Sequence, residues 1–392
     1  MDFDFLFPLV IGGSSCIFDY TPFKQSPFQA EQFLTSNPTE FQLSLKTHIQ
    51  NGAKAVLAPT FSLSYAQLDT LFPDMEEVFE NLYTHLVELT RAAVGENIAV
   101  GGCVPATDLT LRPYGDTSFE EICNLYFRHI RLLRDAGADF ILIDRQNALA
   151  DIRAALLACH SLSIPSLTLL DTNDDGETAS GTAFFPALVT AQALGTMALG
   201  LYDENAKSNR LLFKKAETCR TIPLLLSCTE QTTIDRVRSA AHRGVGVILT
   251  GRHTDLTKQL TENIGKEEFC FADTDVSGEF AAVEREMFFL PDDIELTEPL
   301  LCDGNIEEKL IEIEENSDGN MIFVYLNTPD DALLLAEYGG FATMPIMVHT
   351  NNITVLKTAL RCFQGRLVVD KNCDIDEGDL LHVVQKYGGI LY

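Results

Sequence analysis

Leu132–Asp144 reads Leu-Leu-Arg-Asp-Ala-Gly-Ala-Asp-Phe-Ile-Leu-Ile-Asp, and its order decides the fold. Its first residues close an amphipathic stretch, Phe119–Asp135, in which Ile122, Leu125, Tyr126, Ile130 and Leu133 recur at helical spacing. Gly137 follows, where a residue free to turn left-handed ends a helix. Phe140–Ile143 is then apolar without alternation, as expected of a strand buried on both faces of a parallel sheet, and Asp144 sets a carboxylate at its carboxyl end.

The same helix–Gly–strand joint recurs at Asn51-Gly52-Ala53, Leu194-Gly195-Thr196 and Arg243-Gly244-Val245. The expected strands are Phe5–Gly13, Ala53–Thr60, Asn97–Val104, Asp139–Arg145, Ile164–Asp171, Thr196–Asp203, Ile222–Cys228 and Val245–Gly251. Eight β-then-α units over roughly 260 residues predict a (β/α)8 TIM barrel, here residues 1–266. An open doubly wound sheet is the alternative; strand number and length favour the barrel.

From Glu267 to Asp318 there are 18 acids against two bases, Arg285 and Lys309, which supplies 16 of the 29 net negative charges. Residues 267–318 therefore read as an acidic, solvated connector. In residues 319–392 strand-and-helix alternation resumes: Met321–Leu326, Pro329–Tyr338, Met344–His349, Ile353–Phe363, Arg366–Asp370, Glu377–Tyr387 and Gly389–Tyr392. That predicts a small parallel α/β domain.

The chain has 392 residues, 46% of them hydrophobic, enough for a large core. A net charge of −29 repels phosphate backbones and anionic lipid, which argues against nucleic acid and membrane partners. Met1-Asp-Phe-Asp-Phe places acids where a secretory signal needs cations. The 10 cysteines form no CxxC pair and read as reduced thiols, so a cytoplasmic protein is expected.

A barrel builds its site at the carboxyl ends of its strands. Those ends present Gly13-Ser14-Ser15-Cys16, Thr60-Phe61, Cys103, Asp144-Arg145, Asp171, Asp203-Glu204, Cys228 and Arg252-His253. The expected substrate-binding residues are Gly13, Ser14, Thr60, Cys103, Asp144, Arg145 and Arg252. No P-loop, HExxH or G-x-S-x-G motif is present, Gly12-Gly13 is too short for a phosphate cradle, and Asp174-Asp175-Gly176-Glu177 reads as a turn rather than a calcium loop. His85, His129, His160 and His242 fall in helical stretches, as surface or packing residues.

Three segments in order resemble the homocysteine S-methyltransferase family, which includes the N-terminal barrel of cobalamin-dependent methionine synthase. Asn51-Gly-Ala-Lys-Ala-Val-Leu-Ala-Pro-Thr60-Phe61 is similar to the family's A-G-A-D-…-T-N-T-F strand. Leu132–Asp144 resembles its strand ending in a substrate-binding Glu, and Asp175-Gly-Glu-Thr-Ala-Ser180-Gly-Thr182 its D-G-x-T-x-S-G-T loop. The likeness runs from about Leu9 to about Leu260. It implies methyl transfer to the sulfur of homocysteine with Zn²⁺ holding the thiol, and a separate corrinoid or methyltransferase protein as partner. The family holds its metal through one Cys in G-x-N-C and a Cys pair in G-G-C-C. The matching positions here are Gly200-Leu201-Tyr202-Asp203 and Thr250-Gly251-Arg252-His253, without those thiolates. The family's D-G-A-M-G-T opening is Gly12-Gly13-Ser14-Ser15-Cys16-Ile17, its strand-four Glu is Asp144, and the Asn of T-N-T-F is Pro59. Met344–Thr350, Val355–Arg366 and Lys386–Gly388 resemble part of the pterin-binding barrel of methionine synthase, with His349 and Asp370 where that family has Asp and Asn.

Three functions fit these residues. The first is a family member without the zinc site and without a cofactor, binding a small-molecule thiol or amino acid or a partner protein. The second is a thiol methyltransferase with zinc relocated to Asp203, Cys228 and His253, one carboxylate, one thiolate and one imidazole with an open fourth position. The third is a metal-free enzyme on a small carboxylate, with Arg145 and Arg252 gripping the anion and Asp144 or Asp203 as base.

Overall fold

The structure is a computed structural model and describes residues 8–13, 27–60, 64–71, 73–202, 206–264, 276, 278–316 and 319–392. The apolar runs become β1 (Leu9–Gly12), β2 (Ala55–Leu57), β3 (Ala99–Val104), β4 (Phe140–Gln146), β5 (Ser166–Leu170), β6 (Leu199–Tyr202), β7 (Leu224–Ser227) and β8 (Val245–Leu249). All pair in parallel and in sequence order, and β8 returns to β1 through Val10 opposite Ile248, closing the barrel. Its lumen is packed by residues from many strands, among them Ile11, Leu57, Cys103, Phe140, Leu169 and Leu249. Large and small residues alternate there: a Cβ on Gly101 would lie 2.4 Å from the ring of Phe140.

The helix Phe119–Asp135 shows how sequence sets each outer unit. Ser118 Oγ accepts from the Glu121 N–H at 3.3 Å while the Glu121 carboxylate accepts from the Ser118 N–H at 2.6 Å, a reciprocal cap. Its buried face carries Ile122, Tyr126, Ile130 and Leu133, and Gly137 follows with φ +103°. His129 packs on this helix too, buried, whereas His85, His160 and His242 are exposed.

The acidic stretch 267–318 is more than a solvated connector. It holds an antiparallel hairpin, β9 (Glu279–Ala282) and β10 (Met287–Leu290), then β11 (Leu300–Leu301) and the helix Ile306–Asn316. Phe280, Ala281, Ala282, Val283, Leu290, Cys302, Ile306 and Leu310 are buried, so the stretch divides its apolar residues inward from its acids. β11 pairs with β12 (Ile322–Tyr325), which continues through β13 (Ile346–His349), β14 (Val368–Val369) and β15 (Ile390–Leu391) as one parallel sheet in sequence order. The small α/β unit thus begins inside the acidic stretch rather than at residue 319. One face of this sheet packs on its helices through Ile322, Val324, Ile346, Val348 and Val369. The other, with Phe323, Met347, Val368 and Ile390, is covered by Ala281 and Leu290 of the hairpin.

Candidate functional site

The strand-end rim of the barrel centres on β4. Pairing with β5 slips between Ile143 and Gln146, and Arg145 takes the left-handed φ of +50°. For a residue with a Cβ that conformation costs energy, and it lets two consecutive residues, Asp144 and Arg145, serve one site. Tyr202, at the end of β6, joins them. Its hydroxyl donates to Asp144 Oδ1 at 2.9 Å and accepts from Arg145 Nε at 3.0 Å, with the guanidinium carbon 4.7 Å from the ring centroid. β4 and β6 are alternate strands, whose inward residues share a layer of a barrel.

A buried network supports this corner. Gln146 accepts from the Tyr126 hydroxyl at 2.9 Å and donates to the backbone oxygens of Asp144 at 2.9 Å and Val104 at 3.3 Å. Asp151, fully buried, lies 2.8 Å from the same Tyr126 hydroxyl, whose one proton it shares with Gln146, and it accepts from the Thr107 hydroxyl at 2.6 Å. Burial raises the Asp151 carboxyl above its ordinary range, with those hydrogen bonds opposing the rise.

Thr60 and Cys103 turn out to knit strands. Thr60 Oγ1 accepts from the Cys103 N–H at 2.9 Å and donates to its carbonyl at 3.2 Å. The Cys103 side chain fills the lumen, where burial, then the charges of Asp144 and Glu31, push its thiol far above the usual range. It is a neutral thiol, unsuited to hold a metal or to attack. Gly13 bridges to Gly251 at the mouth with φ +88°, while Ser14, Cys16 and Asp203 lie outside the described residues.

Beyond β7 and β8 the rim differs. Cys228 is buried, its N–H donating to the Leu249 carbonyl at 2.8 Å. Arg252 forms a close ion pair with Glu230, 45% of its side chain exposed. His253 lies beside it in a shallow depression with Thr229, Glu230 and Asp255. Arg145 and Arg252 therefore take different partners, a phenol and a carboxylate.

Among the described residues no three His, Cys, Asp or Glu side chains gather as a metal site. Where the resemblance puts a thiolate there is the Arg252 guanidinium, whose fixed positive charge opposes a dication. Asp203, the third ligand of the relocated set, lies outside the described residues.

The loop after β5 is a clasp. Asn173 Oδ1 accepts from the Asp175 N–H at 2.9 Å and the Glu177 N–H at 3.0 Å, a side-chain turn rather than a cation loop. Thr178 and Ser180 both donate to the Asn147 carbonyl in close hydrogen bonds. Thr182 Oγ1 accepts from the Leu149 N–H at 3.1 Å and donates to Glu284, in the turn of the β9–β10 hairpin, at 3.3 Å. Tyr202 and Glu284 were not expected as site residues. Tyr202 sits one position before the Asp203 that the strand-end count selects, and Glu284 is hidden among like charges.

A family model for homocysteine S-methyltransferase matches residues 15–231. Among solved structures, the metallated form of the homocysteine methyltransferase MmuM from Escherichia coli is similar at 15% identity, covering 64% of this chain and 96% of its own, with a TM-score of 0.55. Its apo form gives a TM-score of 0.51 at 15% identity, over 64% of this chain and 95% of its own. These likenesses concern the fold. No curated protein sequence matches the chain.

Proposed function

Because the chain belongs to the homocysteine S-methyltransferase family, we propose that it keeps the family's barrel as a binding device for a small thiol or amino acid, and acts as a binding or partner protein without a zinc site. The carrying observation is the Asp144–Tyr202–Arg145 cluster. An amino acid offers a carboxylate to the Arg145 guanidinium and an ammonium to the Asp144 carboxylate, and the Tyr202 hydroxyl can hold both groups in register.

Sulfur alkylation needs a thiolate, and a free thiol is mostly protonated at neutral pH. In this family zinc supplies the deprotonation when bound. Two observations support the reading without zinc: Cys103 is a packed thiol in the lumen, and Arg252, where the resemblance puts a thiolate, is paired with Glu230. A separate corrinoid or methyltransferase protein is the partner this reading suggests for the barrel.

The test uses the full chain as purified. Elemental analysis and calorimetry with L-homocysteine and L-methionine are expected to give amino-acid binding without stoichiometric zinc. Stoichiometric zinc together with methylation of homocysteine would overturn the proposal.

A further inference from the structure

The C-terminal sheet carries a second polar row at its strand ends. Pairing of β12 with β13 sets Tyr325 opposite His349. The registers Val348 to Val369 and Val369 to Leu391, extended by one residue, bring Asp370 and Tyr392 into the same row. Two residues earlier on each strand lie Phe323, Met347, Val368 and Ile390, packed under Ala281 and Leu290 of the hairpin on the face turned from the helices. Ligands of parallel α/β sheets bind just outside the carboxyl ends of the strands.

Asp370 Oδ2 lies 2.8 Å from His349 Nδ1, and its Oδ1 accepts from the Asn372 N–H at 2.9 Å and Nδ2 at 2.8 Å. Burial pushes the Asp370 carboxyl up, but these hydrogen bonds outweigh it and hold the group below its usual range. An ionised carboxylate only accepts, so the hydrogen between them belongs to Nδ1, and Nε2 is the ring nitrogen left to face a ligand. Among the described residues no protein group takes Nε2, and 14% of the His349 side chain stays exposed. The Tyr325 ring lies 4.8 Å away and the Phe323 ring 6.2 Å away, centroid to centroid. Cys373 Sγ is 3.9 Å from the same Nδ1, which Asp370 already occupies, and burial keeps this thiol protonated, so it is no rival nucleophile.

We propose that this row is a second small-molecule site, in which His349, held by Asp370, is the general base for a phenol whose ring packs against Tyr325. The Tyr325 and Phe323 rings beside His349 select an aromatic body. A phenol is a far stronger acid than an aliphatic hydroxyl, so its proton passes to imidazole at much smaller cost. A carboxylate or phosphate has little proton to give, and would meet a chain of net charge −29. In the step, the phenol O–H breaks, its electron pair stays on oxygen, and the proton forms a bond to Nε2. Asp370 stabilises the resulting imidazolium, and no other bond changes.

The probe is 4-nitrophenol, whose ionised form is coloured, titrated into the full-length protein below the probe's own pKa. Saturable one-to-one binding with growth of the phenolate band is expected. His349→Gln should abolish the band, and Asp370→Asn should weaken binding about 10–100-fold, the worth of a charge-assisted hydrogen bond. Nitrogen NMR of the wild-type chain guards against variants that fail to fold: a His349 ring protonated at Nδ1 and perturbed by the probe is expected. No saturable binding, equal binding by His349→Gln, or a ring protonated at Nε2 in the free protein would each overturn the proposal.

Discussion

Arg153 Nη1 donates to the backbone carbonyl of Gly365 at 2.9 Å, joining a helix of the barrel to the C-terminal sheet. The same guanidinium reaches the carbonyls of Arg361 at 2.9 Å and Tyr387 at 3.0 Å, and closely that of Leu360. These oxygens belong to the ends of the helices Ile353–Cys362 and Glu377–Lys386, where partial negative charge gathers. Arg153 is fully buried with no carboxylate in these contacts, and burial draws its pKa down to about 10.

Arg153→Met should therefore cost about 3 kcal/mol or more, because several buried carbonyls lose their donor together. Urea unfolding followed by circular dichroism checks this. Lys, with a point charge in place of a planar fork, should recover only a minor part of the loss. A variant as stable as wild type would show that water replaces the guanidinium.

Tyr202→Phe removes one oxygen that serves both Asp144 and Arg145. Amino-acid binding to the barrel is expected to weaken about tenfold, with a stability change near 1 kcal/mol, the net worth of a hydrogen bond. Calorimetry paired with thermal melts separates the two effects, and undiminished binding would place the ligand elsewhere.

Zinc added to the purified chain should leave its melting temperature unchanged, since only a ligand that prefers the folded state raises it. A rise that Cys228→Ser and His253→Gln both abolish would instead support a relocated ion at the ends of β7 and β8, with Asp203 as third ligand.

Acid should destabilise the protein through its buried imidazoles. His129 lies 5.6 Å, centroid to centroid, from each of the Tyr65, Phe79 and Tyr83 rings, with Nε2 unpartnered, and burial lowers its pKa to about 3. His48 falls to about 4 through burial and then its neighbour His253. The unfolded chain takes up these protons near pH 6.5 and the folded chain does not, so stability is full above that pH and is lost as pH falls towards the folded values. Between pH 6.5 and 4 His129 alone accounts for about 3 kcal/mol. His129→Phe should flatten that decline in urea midpoints measured across the range; an unaltered slope would assign it to other groups.

The barrel was legible because its signals are local. Each Gly joint and unalternating apolar run, as at Leu132–Asp144, carries its own conformational reason, and β1 to β8 follow them. The β9–β10 hairpin was not legible: Phe280–Val283 and Met287–Leu290 are short, and the surrounding acids mask them. At the rim, sequence marked Asp144 and Arg145 by their place after a strand. It could not show that the Thr60 hydroxyl turns to the Cys103 backbone while the Cys103 side chain fills the lumen, or that Tyr202 spans from β6 to β4. Those facts depend on strand register, which residues far apart in the chain set together.

The packed lumen has a consequence for traffic. With Ile11, Leu57, Phe140 and Leu169 plugging the cylinder, the described residues leave no tunnel through it. Whatever docks beside Arg145 must arrive and depart by the same doorway, so an occupant lodged there shuts out the next visitor until it leaves.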